Sequence, residues 1–470
     1  MDESGAPNAV AQAAAIAEGR LTAEALMQST LERIGAVNGT LNAIVSLRDA
    51  DELLAAARAA DKAGTGGPLH GLPVAIKDLA NARGLPTSLG SPVFAGQLAE
   101  RDDPHVARLR AAGAIVIGKT NTPEFGLGSH TYNPVHGVTV NPYAPDRSCG
   151  GSSGGAAVAL AAGMLSLADG SDMMGSLRNP AGWCNVYGMR PTWGRVPASG
   201  EGELFLHQLS TNGPMARCPA DLALMLDVMS GPDARQPLIA DYPPCGMPRP
   251  GAGGRRIGWL GDWGGALAFE DGILALCESA LGVLDGAGAR IDAVGPPFAR
   301  DSLWHAWTTL RSWSVACELG PLLDDPATRD RLKPEAVWEI EKGRALSAAE
   351  IDAASRTRSD WFRAALALFD TYDALALPTA QVWPFPAGHD WPRAIEGHAM
   401  DSYHRWMEVM IPASLVGLPA LAMPAGFGGG GLPMGVQLIG PRGGDKMLLE
   451  LAEAYDRDTG WPRERPPKLS

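Results

Sequence analysis

Lysine is scarce in this chain. Of 39 basic residues among 470, seven are Lys and the others Arg; 52 acidic residues leave a net charge of −13 and a pI near 5.2. No run of Lys or Arg is present to build a phosphate-binding face, so nucleic acid and anionic membranes are not the expected partners. The six cysteines, at 149, 184, 218, 245, 277 and 317, are widely spaced and include no CxxC pair. This argues for reduced thiols rather than a disulfide frame or a zinc site. Long apolar runs are missing too: the longest, Ala156 to Ala168, is interrupted by Gly163 and Ser166 and is too short to span a bilayer. The opening Met1-Asp2-Glu3-Ser4-Gly5 lacks the basic region of a secretory signal. Together these absences predict a soluble, cytoplasmic protein.

What is present is apolar material and an excess of backbone-shaping residues. Hydrophobic residues make up 46% and charged residues 19%, enough for a sizeable core. Glycine (58) and proline (38) together exceed the usual combined share of roughly 12% without reaching low-complexity levels. The length suits about three average domains or one large α/β domain.

Periodicity predicts helices over 22–34, 50–63, 104–112 and 219–229, with Gly35, Gly64, Gly66 and Gly67 as stops. Apolar strands are expected at Leu72 to Ile76 and Ala114 to Ile117, and a helical stretch over Ala156 to Ala168. Residues 231–255 have the composition of a surface connection. A β-α-β pattern follows at 256–260, 270–284 and 290–294. Ser347 and Glu350 form a capping box opening a helix to about Phe369, and strands are expected at 374–377, 420–423 and 435–438 before a helix from Asp445. Alternating strands and helices indicate an α/β architecture with a parallel or mixed sheet.

Four motif matches fail on physical grounds or lack support. Gly113 to Thr120 spells a P-loop, but its centre, Ala-Ile-Val-Ile, is itself a strand, and Asn121-Thr122-Pro123 stands where a helix must begin. Val74-Ala75-Ile76-Lys77 matches the kinase lysine motif, with neither HRD nor DFG downstream. Gly426 to Gly431 fits a dinucleotide fingerprint, but Pro433 blocks the required helix. Gly150-Gly151-Ser152-Ser153-Gly154 fits a nucleophile elbow, although polar residues precede it where a strand is needed. This last alternative would require one of the later histidines, 207, 305, 389, 398 or 404. No metal-ligand cluster or cofactor loop is visible, so no cofactor is expected.

Three segments stand out in combination: Lys77 at the end of an apolar strand, the loop Gly150 to Gly155 with Ser152 and Ser153, and the loop Gly170 to Arg178 with Ser176. The intervals are 75 residues from Lys77 to Ser152 and 24 from Ser152 to Ser176. With GAIVIGKTNTPEFG (113–126), YGMRPTWGRVP (187–197), GPMARCPAD (213–221), ALPT (376–379) and the segment 417–440, this set resembles the amidase signature family from about residue 20 to 460. The resemblance implies one large domain, a central mixed β-sheet covered by helices on both faces. Its parts would be an N-terminal helical segment (1–65), a signature core (66–230), the connection (231–255), a variable substrate-covering portion (256–400) and a C-terminal completion of the core (401–470).

The resemblance also implies roles. Ser176 is the nucleophile, Ser152 on a cis peptide is the bridging serine and Lys77 is the base. Backbone N–H groups of Met173, Met174, Gly175 and Ser176 form the oxyanion hole, and Ser153, Asp172 and Arg178 support the loops. The chemistry is coherent. A serine hydroxyl needs a neighbour to take its proton, and a lysine can do so only when neutral, which burial favours. Asp78 would oppose that, but successive strand residues point to opposite faces.

This chain departs from the usual Asp-Ile-Gly-Gly with Asp172-Met173-Met174-Gly175, and a side chain at 174 makes positive φ costly there. Cys149 replaces a proline and reads as inert packing. Eight of the thirteen tryptophans lie between 300 and 410, and Met174, Trp304 and Trp307 are candidates to line the substrate pocket. The expected activity is hydrolysis of an apolar or aryl carboxamide, anilide or carbamate through an acyl- or carbamoyl-enzyme on Ser176. Two alternatives are the amidase subunit of a glutamine-dependent aminoacyl-tRNA amidotransferase and a non-catalytic binding protein on the same scaffold. The expected partner is a small-molecule amide or carbamate substrate, and a homodimer is left open.

Overall fold

The computed structural model describes residues 8–64 and 66–469. Eleven strands form one sheet: β1 (Ile44–Val45), β2 (Pro73–Lys77), β3 (Ile115–Thr120), β4 (Leu167–Asp172), β5 (Tyr187–Arg190), β6 (Thr211–Ala216), β7 (Arg256–Trp259), β8 (Arg290–Ala293), β9 (Ala374–Pro378), β10 (Ala420–Phe427) and β11 (Pro433–Ile439). Their spatial order is β1-β3-β2-β4-β6-β5-β10-β11-β9-β7-β8. β3, β2 and β4 run parallel, as do β9, β7 and β8, and the centre is antiparallel, so the sheet is mixed.

Both faces are covered, which explains why β2 and β3 read as unbroken apolar runs rather than alternating ones. Along β2, Val74 and Ile76 join one core while Ala75 joins the other; along β3, Val116 faces the first core and Ile115 and Ile117 the second. The second core is closed by helices Ala23–Leu41, Ala50–Ala63 and Gly154–Ala161. The first is closed by Pro219–Met229, Ile273–Gly286, Ala348–Phe369 and Asp445–Thr459. A long helix, Arg300–Asp324, packs on Pro334–Arg344 and on Ala348–Phe369.

Two expectations need correction. Gly35 does not stop its helix: Ala23–Leu41 runs through it because Met27, Ile34, Val37 and Leu41 make one buried stripe. Burial along that stripe outweighs the cost of about 1 kcal/mol per helical glycine. The helix expected over Ala156 to Ala168 spans Gly154–Ala161 instead, since Gly163 turns the chain at φ +71° and Leu167 and Ala168 enter β4. Within the 113–120 segment Ile115–Thr120 is a strand, as the apolar centre indicated, and the Ser347–Glu350 capping box is formed. The cysteines are free, five of them buried and Cys317 exposed. Among the described residues, no helix is long and apolar enough to cross a membrane.

Candidate active site

The site gathers at the carboxyl ends of β2 and β4, adjacent parallel strands, where open α/β sheets commonly place ligands. β2 ends at Lys77, whose Cβ points to the same face as Ala75 and so toward helix Gly154–Ala161. That helix begins just after Ser152 and Ser153. Lys77 Nζ is hydrogen-bonded to Ser152 Oγ at 2.8 Å, Ser153 Oγ at 3.0 Å and Ser171 Oγ at 3.0 Å. The side chain is only 1% exposed. Loss of hydration lowers its pKa from 10.5 to about 7, against the opposing pull of Asp169 and Asp172. The positive end of helix Gly154–Ala161 acts in the same direction as burial. Asp78 faces away, bonded to Ser88 and lying 3.6 Å from Lys119.

The peptide Gly151–Ser152 is cis. Ser153 N–H donates to Ser176 O at 3.2 Å, which ties the two serine loops together. Ser152 and Ser176 both line the cleft described below, but no hydrogen bond joins their hydroxyls in this structure. Such contacts commonly tighten only when substrate is bound.

Asp172 organises the second loop. Its carboxylate accepts from the N–H groups of Gly175 (2.8 Å) and Leu177 (3.2 Å) and pairs with Arg178 (3.0 Å) and Arg190 (3.2 Å), and Asp172 and both arginines are buried. Despite its burial, these two guanidinium groups hold its carboxyl well below the usual range. Arg178 extends the network to Gln437 and Ser414. Gly175 N–H is thus committed to Asp172, whereas those of Met173, Met174 and Ser176 carry no hydrogen bond to a described residue. These three are the free donors on the loop, not the four expected. Positive φ falls on Gly175 (+88°), not Met174, and a Cβ at 175 would overlap Met410. The loop therefore accommodates a methionine at 174 without left-handed strain.

The cleft above the serines has a volume of about 270 Å³. Its wall includes Leu79, Phe125, Leu127, Met173, Val315 and Leu319 beside Lys77, Ser152 and Ser176. Leu89 and Phe125, both on this wall, hold left-handed backbone (φ +53° and +54°), a strain that clusters at functional sites.

The expected substrate-lining residues are not there. Met174 is 3% exposed and packs in the first core, leaving its neighbour Met173 to face the cleft. Trp307 is fully buried in the same core. Trp304 lies against His404 and under the guanidinium of Arg405. Large aromatic rings at helical spacing went to interior packing, where their area counts most. None of the later histidines lines the cleft, so the nucleophile-elbow alternative has no partner there. Cys149 is buried, and burial pushes its thiol up to about 12, consistent with packing.

Sequence reasoning missed Ser171, Arg190, Arg311 and Glu318. Ser171 had a signal, since it lies inside the Gly170 to Arg178 segment that the sequence already set apart. Arg311 and Glu318 reach the cleft only through the packing of helix Arg300–Asp324.

Comparison with known proteins places this architecture. The chain belongs to the amidase family, whose family model matches residues 25–449. It is an amide-hydrolysing enzyme of the amidase signature type. An acylamidase of Rhodococcus erythropolis is 33% identical, over 98% of this chain and 97% of its own. A glutamyl-tRNA(Gln) amidotransferase subunit from Chloroflexus aurantiacus is 36% identical over 96% of each chain. The crystal structure of a bacterial aryl acylamidase of the amidase signature family superposes with a TM-score of 0.90 at 26% identity, covering 98% of this chain and 99% of that one.

Proposed function

We propose that the enzyme hydrolyses the C–N bond of apolar or aryl carboxamides, anilides or carbamates through an acyl- or carbamoyl-enzyme on Ser176. One observation carries this reading: a buried lysine with a pKa near neutrality is hydrogen-bonded at 2.8 Å to a serine on the wall of a cleft that Ser176 also lines. Leu79, Phe125, Leu127, Met173, Val315 and Leu319 give the wall an apolar side, and the relatives named acylamidase and aryl acylamidase act on amides.

Ser176 Oγ attacks the carbonyl carbon as its proton passes to Ser152 Oγ, while the Ser152 proton passes to neutral Lys77 Nζ. The carbonyl oxygen becomes an oxyanion, held by the free N–H groups on the 173–176 loop. Collapse breaks the C–N bond, and the proton returns from Lys77 through Ser152 to the departing nitrogen. Water then attacks the ester, giving its proton by the same route, and the acid leaves with Ser176 restored. Asp172 acts through the loop, by fixing Gly175 and Leu177, rather than on the reacting atoms.

The second reading, ammonia release from glutamine within an amidotransferase complex, has support in the 36% identical relative. Purified enzyme assayed against anilides, carbamates, ureas and glutamine separates the two. Turnover of the apolar anilide, lost in Ser176→Ala, is the expected result; turnover of glutamine alone would overturn the proposal.

A further inference from the structure

Helix Arg300–Asp324 sends Arg311, Val315, Glu318 and Leu319 to the cleft wall. Their spacing of four, seven and eight residues is one helical stripe. At 1.5 Å rise per residue, Glu318 stands roughly 10 Å along the axis from Arg311. The two polar ends differ in kind. Arg311, 3% exposed, is the inner end: its Nε donates to Glu339 (2.7 Å), Nη2 to Tyr403 Oη (2.7 Å) and Nη1 to Met173 Sδ (3.0 Å). Its charge is matched by Glu339, and its contact with Met173 places it beside the loop of the nucleophile.

Glu318 is the exposed, outer end, and among the described residues it makes no ion pair or hydrogen bond. The other carboxylates on the wall are engaged. Asp169 accepts from Lys77 N–H and contacts His105, and Asp103 accepts from Asn81 N–H. Glu318 itself stays open to solvent at the outer end of the cleft. Val315 and Leu319 supply apolar surface beside it. The net charge of −13 adds a field that draws cations toward the molecule.

We propose that Glu318 is a specificity-determining residue that takes the ammonium end of an amide substrate, whose apolar body lies along Val315 and Leu319 and whose reacting carbonyl lies at Ser176. This deepens the amide-hydrolase reading and rests on it. An unpaired carboxylate at the outer end of an apolar wall favours a cation there and repels a carboxylate.

The test uses the full chain and two matched sets of anilides. In one set the acyl end, and in the other the aniline end, terminates in ammonium, methyl or carboxylate at equal length. In one of the sets kcat/KM for the ammonium member is expected to exceed that for the carboxylate member at least tenfold at low ionic strength. The ratio should shrink toward one at 0.5 M NaCl, fall to within about twofold in Glu318→Gln, and invert in Glu318→Lys. No ammonium preference in either set, or a preference that persists in Glu318→Gln, would overturn the proposal. If the methyl-ended anilides are not turned over at all, the amide-hydrolase reading fails instead.

Discussion

Lys77 makes a prediction that links activity to stability. A lysine with a pKa of about 7 when folded and 10.5 when unfolded binds fewer protons in the native state between those values. Unfolding free energy must therefore rise with pH across that window, with a slope approaching 1.4 kcal/mol per pH unit. Below pH 7 both states carry the proton and the full cost of burying the charge is present, on the order of 5 kcal/mol for this shift. As pH rises from 7 toward 10.5 that cost is relieved. Lys77→Met removes the titration while keeping an unbranched side chain of similar length. Urea unfolding of wild type and Lys77→Met at several pH values from 6 to 9 then isolates the lysine, because every other group cancels in the difference. The wild type should gain about 3 kcal/mol on the variant between pH 6 and 9. In parallel, log kcat/KM of the wild type should climb with unit slope below pH 7 and level off above it, as the neutral amine becomes populated. A pH-independent stability difference, or activity that is flat from pH 5 to 9, would refute the assignment of a neutral, buried base.

Three further outcomes follow from the geometry. Asp172→Asn leaves Arg178 and Arg190 buried without their carboxylate, so it should lower stability by about 3–5 kcal/mol, read as a reduced denaturation midpoint together with lost turnover. Gly175→Ala forces a side chain onto φ +88° and into Met410; it should cost about 1–3 kcal/mol and depress kcat, measured by thermal melts and anilide kinetics. A thiol titration of the native enzyme should find one fast cysteine, Cys317, and six after denaturation; labelling of Cys149 in the native state would contradict its burial.

Much of the fold was legible because both faces of the sheet are covered. The runs at 72–76 and 114–117 carry no polar interruption and could be neither surface strands nor a phosphate loop. The Ser347–Glu350 box marked its helix start by a local bond that owes nothing to tertiary context. Gly35 misled because its residue cost is local, while the stripe of Met27, Ile34, Val37 and Leu41 stabilises the helix only in the assembled core.

Within the site, Lys77 and the two Gly/Ser loops were legible together, since a lysine at a strand end and glycine-rich turns at fixed intervals are unusual in combination. Composition could not say where the tryptophans would go. Trp307 is large enough that the core claims it, and the cleft wall is built from Phe125, Leu127 and Met173 instead. Glu318 and Arg311 look like ordinary polar residues on an amphipathic helix, and only the docking of that helix over the serines gives them a place in the cleft.

The most direct test of Ser176 as nucleophile is mass spectrometry of the enzyme after reaction with an activated, slowly released carbamate. The peptide carrying Ser176 should gain one carbamoyl group, and Ser176→Ala should gain none. A label on Ser152, or an unlabelled enzyme that still turns over the carbamate, would contradict it.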